Sequence, residues 1–393
     1  MKILYIDYQM FGKDDIIEAL VQLGHMAEVT DIPIQYEGNS SKIESELCKK
    51  MTAGQYDAVF TSNYYPVVSN CCNQLRVRYI SWTYDSPRIA LYHPSILNSC
   101  NYVFTFDSYE CMELRNKGVQ HIYYMPLAVN SERLDSIHMT KQDSSTFGAE
   151  VSMVCSLYNE SHNLYDRMAD KLTDYTRGYL EAVLQAQKNL FGGSVLEEVL
   201  YNSRILQDMY KAMPYQLEQG SLASLEYVYA NYFLARKVAT LQRLEYIEAI
   251  SANFDMKVYT SGDLAGIPTV KHMGTVDYLT DMNKVFRLSK INLNITLPSI
   301  HTGIPLRAMD IMGAGGFLLT NYQTDFMGLF EPDVDYVYYT SLAEALEKID
   351  YYLRHEEERT AIAENGHNKM REYFTYENQL KQMLEIVEEA STV

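Results

Sequence analysis

Arg307 and Asp310 stand three residues apart in a run where Ile304, Leu306, Met309 and Met312 recur at helical spacing, so a guanidinium and a carboxylate share one helix face. Pro305 sits where a first helical turn tolerates it. Upstream, Ile291 to Leu297 is a short apolar run with β-branched residues, bounded by Pro298, and reads as a buried strand. Ser299 to Gly303, carrying His301 and Thr302, is the polar turn between strand and helix. Gly313, Gly315 and Gly316 end the helix, and Phe317 to Thr320 is the next strand. A turn at the carboxyl end of a strand, followed by a helix N-terminus, favours phosphate oxygens. Arg307 on phosphate and Asp310 within reach of ribose hydroxyls would make a nucleoside-diphosphate clamp. The plainer account is a surface ion pair contributing about 0.3–0.5 kcal/mol.

A second constellation is Trp82-Thr83-Tyr84-Asp85-Ser86-Pro87, which holds the only tryptophan of the chain at the end of a strand. Asp85 there suits a general base or a ligand for an acceptor hydroxyl, and Trp82 or Tyr84 suits stacking on a sugar. The competing account makes Asp85 the cap of a helix begun by Pro87. The loop Gln9 to Lys13, after the first strand, adds Phe11 and Gly12 as acceptor-side candidates.

These residues need elements to position them. Lys2–Tyr8, His25–Asp31, Asp57–Ser62, Val77–Trp82, Tyr102–Phe106 and His121–Met125 read as strands separated by helical stretches, including one over 40–51. That alternation predicts a doubly wound parallel sheet. The first βα loop lacks GxGxxG, so a dinucleotide fingerprint is absent. Ser131 to Glu150 is polar with little periodicity and reads as a linker. Val151–Cys155 opens a second sheet, with Ser156-Leu157-Tyr158-Asn159 as the loop beyond it. Residues 161–252 are helical throughout, with a face of Leu225, Val228, Tyr229, Tyr232 and Phe233, and read as an insertion in the second domain. Met256–Thr260 is the next strand, and Asp277-Tyr278 opens the helix that leads to Ile291. The expected domains are 1–135, 151–370 with the insertion, and a terminal helix over 371–393 that returns to the first domain.

At 393 residues, two domains are the expectation. Thirty-three Lys and Arg against 51 Asp and Glu give a net charge of −18, which argues against nucleic-acid binding and requires any phosphate site to gather its cations locally. The six cysteines show no CxxC and no zinc-ligand spacing, and read as reduced thiols of a cytoplasmic protein. No secretory segment and no 18-residue apolar run appears, so no integral membrane segment is expected.

Pro305, Arg307, Asp310 and Gly315, followed by Gly316-Phe317-Leu318-Leu319-Thr320, resemble the carboxyl-terminal half of GT-B glycosyltransferases, and in particular the spore maturation protein CgeB-like family. The W-x-x-D-x-P pattern is similar to the amino-terminal domain paired with such halves, and Val270–Val276, containing His272, resembles the segment around the nucleobase. Met309 stands where the family has Phe, Asp310 where it has Glu, and Cys155 where it has Gly. The resemblance implies an α/β GT-B-like fold, two doubly wound Rossmann-like domains facing a cleft with a helical insertion in the second. It implies a donor site of Tyr158, Asn159, His272, Ser299, His301, Thr302, Gly303, Arg307 and Asp310, and an acceptor side of Trp82, Tyr84, Phe11 and Gly12 with Asp85 as base.

The activity so implied is metal-independent sugar transfer from a nucleotide-diphosphate sugar, a UDP-sugar first, to a protein, glycan or small molecule. No cofactor is expected besides the donor. A homodimer through the helical insertion is a further expectation. The alternatives are a small-ligand binding module without chemistry, and a catalytically degenerate GT-B scaffold for spore or surface assembly, which the three departures motivate.

Overall fold

A computed structural model describes residues 1–8, 10–33, 41–161 and 163–390. Gln9, Ser40, His162 and residues 391–393, all within stretches assigned above, lie outside the described residues. The chain divides into two compact units. The first comprises Met1–Ala128, Leu217–Ala223 and the chain from Tyr373; the second comprises Val129–Gln216 and Ser224–Glu372.

The first unit is a parallel sheet of β1 (Lys2–Ile6), β2 (Met26–Thr30), β3 (Ala58–Ser62), β4 (Arg78–Trp82), β5 (Asn101–Thr105) and β6 (Ile122–Tyr124), in the order β2-β1-β3-β4-β5-β6. All five residues of β3 and of β5 are buried, with no inside–outside alternation, which is how a strand covered on both faces reads. The helices that cover it are α1 (Lys13–Gln22), α2 (Ser41–Gly54), α3 (Pro66–Leu75) and α4 (Ser108–Asn116).

The second unit repeats the architecture. Its strands are β7 (Val151–Val154), β8 (Met256–Tyr259), β9 (Lys271–His272), β10 (Ile291–Asn294), β11 (Leu318–Asn321) and β12 (Val337–Tyr339), all parallel, in the order β12-β11-β10-β7-β8-β9. Val151, Met153, Val258, Leu293, Leu319 and Val337 form its core with Ile247 and Ile250.

The stretch expected to be a linker folds into two short helices of the second unit, α5 (Ser131–Asp135) and α6 (Lys141–Phe147). Thr140 accepts from the amide of Asp143, whose carboxylate accepts from the amide of Thr140, a reciprocal cap that offsets the poor helix propensity of the run. The expected insertion also needs correction. It comprises α7 (Leu164–Ala169), α8 (Asp174–Gln187), α9 (Ser203–Ala212), α10 (Leu225–Val228), a π-helical turn Tyr229–Leu234, and α11 (Ala235–Ser251). The last of these is the crossover helix between β7 and β8: Tyr246, Ile247 and Ile250 belong to the sheet core. Residues 217–223 belong to the first unit, where the amide of Leu222 donates to the carbonyl of Tyr92 at 2.7 Å and Lys117 Nζ donates to the carbonyl of Leu222 at 2.9 Å. Asp277 does not open a helix. Its carboxylate takes the amide and hydroxyl of Thr280 in a turn, and α12 begins at Asp281 (Asp281–Leu288). The remaining helices are α13 (Leu306–Gly313), α14 (Leu342–Arg354), α15 (Glu356–Tyr373) and α16 (Tyr376–Ala390), the last packed on α1 within the first unit. Among the described residues no helix is long and apolar enough to cross a membrane.

Candidate functional site

In the second sheet β7 and β10 are neighbours, and from them the chain runs outward in opposite directions, to β8 and to β11. Such a switch in strand order opens a crevice beyond the carboxyl ends of the strands, where open α/β sheets bind ligands. The segments there are 155–159 after β7 and 295–305 after β10. Arg243, on α11 and only 6% exposed, spans them. Its Nη2 donates to the carbonyl of Ile295 at 2.7 Å and its Nη1 to the carbonyl of Ser156. No carboxylate pairs with this buried guanidinium among the described residues.

Tyr158 lies beside that cation, its ring 5.2 Å from the Arg243 guanidinium and 5.8 Å from that of Arg236. Tyr158 has φ +56, unusual for a bulky residue. Its carbonyl accepts from Thr240 Oγ1 at 3.2 Å and from Asn163 Nδ2, which hold the loop in that conformation. Arg236, Thr240 and Arg243 are spaced at four and three residues on α11, hence on one face. The π turn just before α11 sets that face, because its wider turn changes the angular phase of everything after it. Arg236 also rests 5.6 Å from the ring of Tyr232. Its Nε is buried without a hydrogen-bond partner, and neither acceptor nor carboxylate meets its guanidinium among the described residues.

Arg307 lies in the first turn of α13, its Nη1 3.6 Å from Asp310 Oδ2. It rests 5.6 Å from the ring of Phe286 and touches Met282 Sδ. Asp310 is 6% exposed and takes a hydrogen bond from the Tyr278 hydroxyl at 3.0 Å, while its Oδ2 has no hydrogen-bond partner. Burial pushes this carboxyl up to about 6, against the pull of Arg307, Tyr278 and Arg133. Arg307 and Asp310 thus share a helix face as the spacing predicts, but the carboxylate is turned into the protein. Burial raises the Cys155 thiol, against the positive charges of Arg243 and Arg307.

The Asp310 environment gives a stability test. A buried acid whose folded pKa is raised binds its proton more tightly when folded, so its contribution is present at low pH and lost as pH rises through about 6. Between about pH 7 and pH 5 the wild type should gain roughly 1 kcal/mol relative to Asp310→Asn in urea unfolding. Parallel curves for the two proteins would refute the buried-acid description.

Other donor-side residues fall around the same crevice. Ser299 and Gly303 are buried, and His301 and Thr302 half-buried. Gln323 Nε2 donates to the carbonyls of Ile300 and Gly303, each at 3.1 Å, and fixes this loop from behind. Asn159 is committed to the neighbouring loop, with Nδ2 donating to the carbonyl of Asp263 at 2.9 Å. His272 is exposed on the edge strand β9, two strands out from β7, its Nε2 3.0 Å from the carbonyl of Thr260.

In the first unit Asp85 follows β4 and is held by its neighbours. Asn63 Nδ2 donates to Asp85 Oδ2 at 2.8 Å, and Asn63 Oδ1 accepts from the amides of Tyr84 and Asp85 at 2.8 and 3.1 Å. Arg88 Nη1 lies 3.6 Å from Asp85 Oδ2. The side chain of Asp85 is 57% exposed. Asp85 is not a helix cap: Pro87 begins no helix, and the 3-10 turn that follows, Ile89–Tyr92, has Arg88 at its start. Trp82 is a correction of another kind. Its side chain is fully buried beside Tyr84 and Tyr376, with ring centroids 5.1 and 6.0 Å away, so the indole is core and presents no face to a sugar. Tyr84 is itself buried, and Phe11 is 64% exposed. Glu110, on the first turn of α4, takes the Thr105 hydroxyl and is pushed by burial up to about 8.

Gly12 lies against the last helix: a Cβ there would come 2.5 Å from Tyr376 Oη. Gly12→Ala should therefore lower Tm measurably without changing nucleotide affinity, and adding Tyr376→Phe should restore part of the loss. Unchanged Tm in the single variant would return Gly12 to the surface.

Arg236, Arg243, Asn63 and Gln323 were not among the residues singled out from the sequence. The only signal for the two arginines is their seven-residue spacing in a helical run, which also describes a solvated helix edge.

Two doubly wound parallel sheets, the second carrying a cationic crevice at its switch point, make the architecture that of the GT-B glycosyltransferase structures. Residues 237–385, from α11 through most of α16, match the model of a family described as glycosyl transferase-like. HepE of Anabaena, solved with UDP and glucose, is similar over the whole of both chains at 12% identity and a TM-score of 0.52. Sucrose-phosphate synthase of Thermosynechococcus elongatus is similar over 100% of this chain and 99% of its own, at 10% identity and a TM-score of 0.56. A glycosyltransferase of Rickettsia africae is similar over 99% and 98%, at 10% identity and a TM-score of 0.52. None of the curated proteins compared with the chain matches it.

Proposed function

We propose that this protein is a glycosyltransferase that takes its sugar from a nucleoside-diphosphate donor, with a UDP-sugar as the expected substrate. The observation that carries the proposal is a pair of guanidinium groups, Arg236 and Arg243, set against Tyr158 after β7, with a third, Arg307, in the first turn of α13 after β10, at the switch point of a chain with net charge −18. Only one carboxylate, the buried Asp310, offsets them among the described residues. Such a cluster suits two phosphates, and Arg236 has no internal anion to satisfy it. The family match over 237–385 and the UDP bound in HepE support the same reading.

In the proposed reaction the bond between the anomeric carbon and the diphosphate breaks, and the acceptor oxygen forms its bond to that carbon. The guanidinium groups stabilise the charge developing on the leaving diphosphate, without a metal. Asp85, exposed yet fixed by Asn63 and Arg88, takes the acceptor proton. The finer placement, within the CgeB-like group, belongs to the same proposal and rests on Pro305, Arg307, Asp310 and Gly315.

The test is calorimetry with UDP, GDP and ADP, followed by assay of UDP-sugar turnover by the purified protein. Binding of UDP together with release of UDP from a UDP-sugar is the expected result. No binding of any nucleoside diphosphate would overturn the reading, whereas binding without turnover across a broad acceptor panel would favour a degenerate scaffold.

A further inference from the structure

Cys48 and Cys71 lie on α2 and α3 of the first unit, 23 residues apart in sequence, with their sulfurs 2.6 Å from each other. That is far inside ordinary non-bonded sulfur contact and only about half an ångström beyond a covalent S–S bond of about 2.05 Å. The two thiols differ in access. Cys71 is fully buried, and its Sγ also lies 3.6 Å from the carbonyl of Glu44. Cys48 is half-exposed and lines an open groove of about 610 Å³ together with Ser45, Lys49, Thr52, Gln74 and Leu75. A small solute can therefore reach Cys48 and cannot reach Cys71. The other nearby thiols are placed differently: Cys72 is buried, and Cys100 donates to the carbonyl of Ser69 at 3.5 Å.

We propose that Cys48 and Cys71 form a reversible disulfide that staples α2 to α3, made by exchange with a small-molecule disulfide of the glutathione type. Cys48, as thiolate, attacks one sulfur of the oxidant, forming a mixed disulfide and releasing the first small thiol. Cys71 then attacks Cys48 Sγ, the bond to the small molecule breaks, and the departing thiolate carries away the Cys71 proton. The two protein thiols lose two electrons and two protons, and one small disulfide becomes two small thiols. Burial raises the Cys71 thiol, so Cys71 reacts only with a sulfur already delivered beside it. The staple acts where it has leverage: α3 begins at Pro66, directly after Asn63, Tyr64 and Tyr65, and Asn63 holds Asp85.

The experiment treats the full chain with excess oxidised glutathione and reads intact mass, peptide mapping and Tm. Expected are the loss of two hydrogens with no retained adduct, a linked peptide pair joining Cys48 to Cys71, and a Tm rise of about 5–10 °C that dithiothreitol reverses. Cys71→Ser should trap the glutathione adduct on Cys48. Cys48→Ser, a change at a half-exposed position, should show neither adduct nor link at Cys71. Retention of all thiols in the wild type, or a link joining a different cysteine pair, would overturn the proposal.

Discussion

Replacing Arg236 by Ala should weaken UDP binding about 10- to 100-fold and leave uridine binding within about twofold, because the lost contact is charge-assisted and directed at phosphate alone. The reasoning starts from what holds Arg236 in place. Tyr158 and Tyr232 each present a ring within 6 Å of its guanidinium, which orients the side chain without consuming its donors. Its charge is left for a ligand. Arg236→Lys should recover only part of the affinity, since an ammonium restores charge but not the flat group stacked on two rings. Titration calorimetry on the three proteins with both ligands decides the matter. Equal losses for UDP and uridine would mean that Arg236 braces the helix and touches no phosphate.

Asp85→Asn should cut turnover by roughly 100- to 10,000-fold at saturating donor, with UDP affinity unchanged. The amide fills the same space and still accepts the hydrogen bond from Asn63 Nδ2, so the loop after β4 keeps its shape. What it loses is the ability to take a proton from the acceptor. Steady-state rates on the folded variant provide the measurement. A rate within a few-fold of wild type would remove Asp85 from the chemistry and favour a mechanism that needs no protein base.

The sequence carries the architecture in its periodicities. Ile291–Asn294, Leu306–Gly313 and Leu318–Asn321 follow from one apolar run, one helical spacing and a cluster of glycines, all local signals. Residue environments beyond that reach did not show. Trp82 ends a strand and so qualifies for a binding rim, yet Tyr84 and Tyr376 close over it, and Tyr376 is nearly 300 positions away. Asp310 fits a clamp by its spacing to Arg307, but only the packed structure brings the Tyr278 hydroxyl to its carboxylate and shuts out water. Arg236 and Arg243 become informative once the loop after β7 places Tyr158 against them. Local pattern reports which element a residue joins. It does not report what that element is laid against.

The division of the chain into units has a consequence for synthesis. A nascent polypeptide emerging through residue 372 already contains every strand of both sheets and all of the second unit, yet still lacks α16, the helix that packs on α1. The unit that starts first is thus completed last, and until then α1 lacks the helix it packs against in the finished protein. The segment 217–223 imposes the same order from mid-chain, since it too reaches the first unit only after much of the second has been made. Vectorial synthesis therefore does not complete the two units in the order in which they begin.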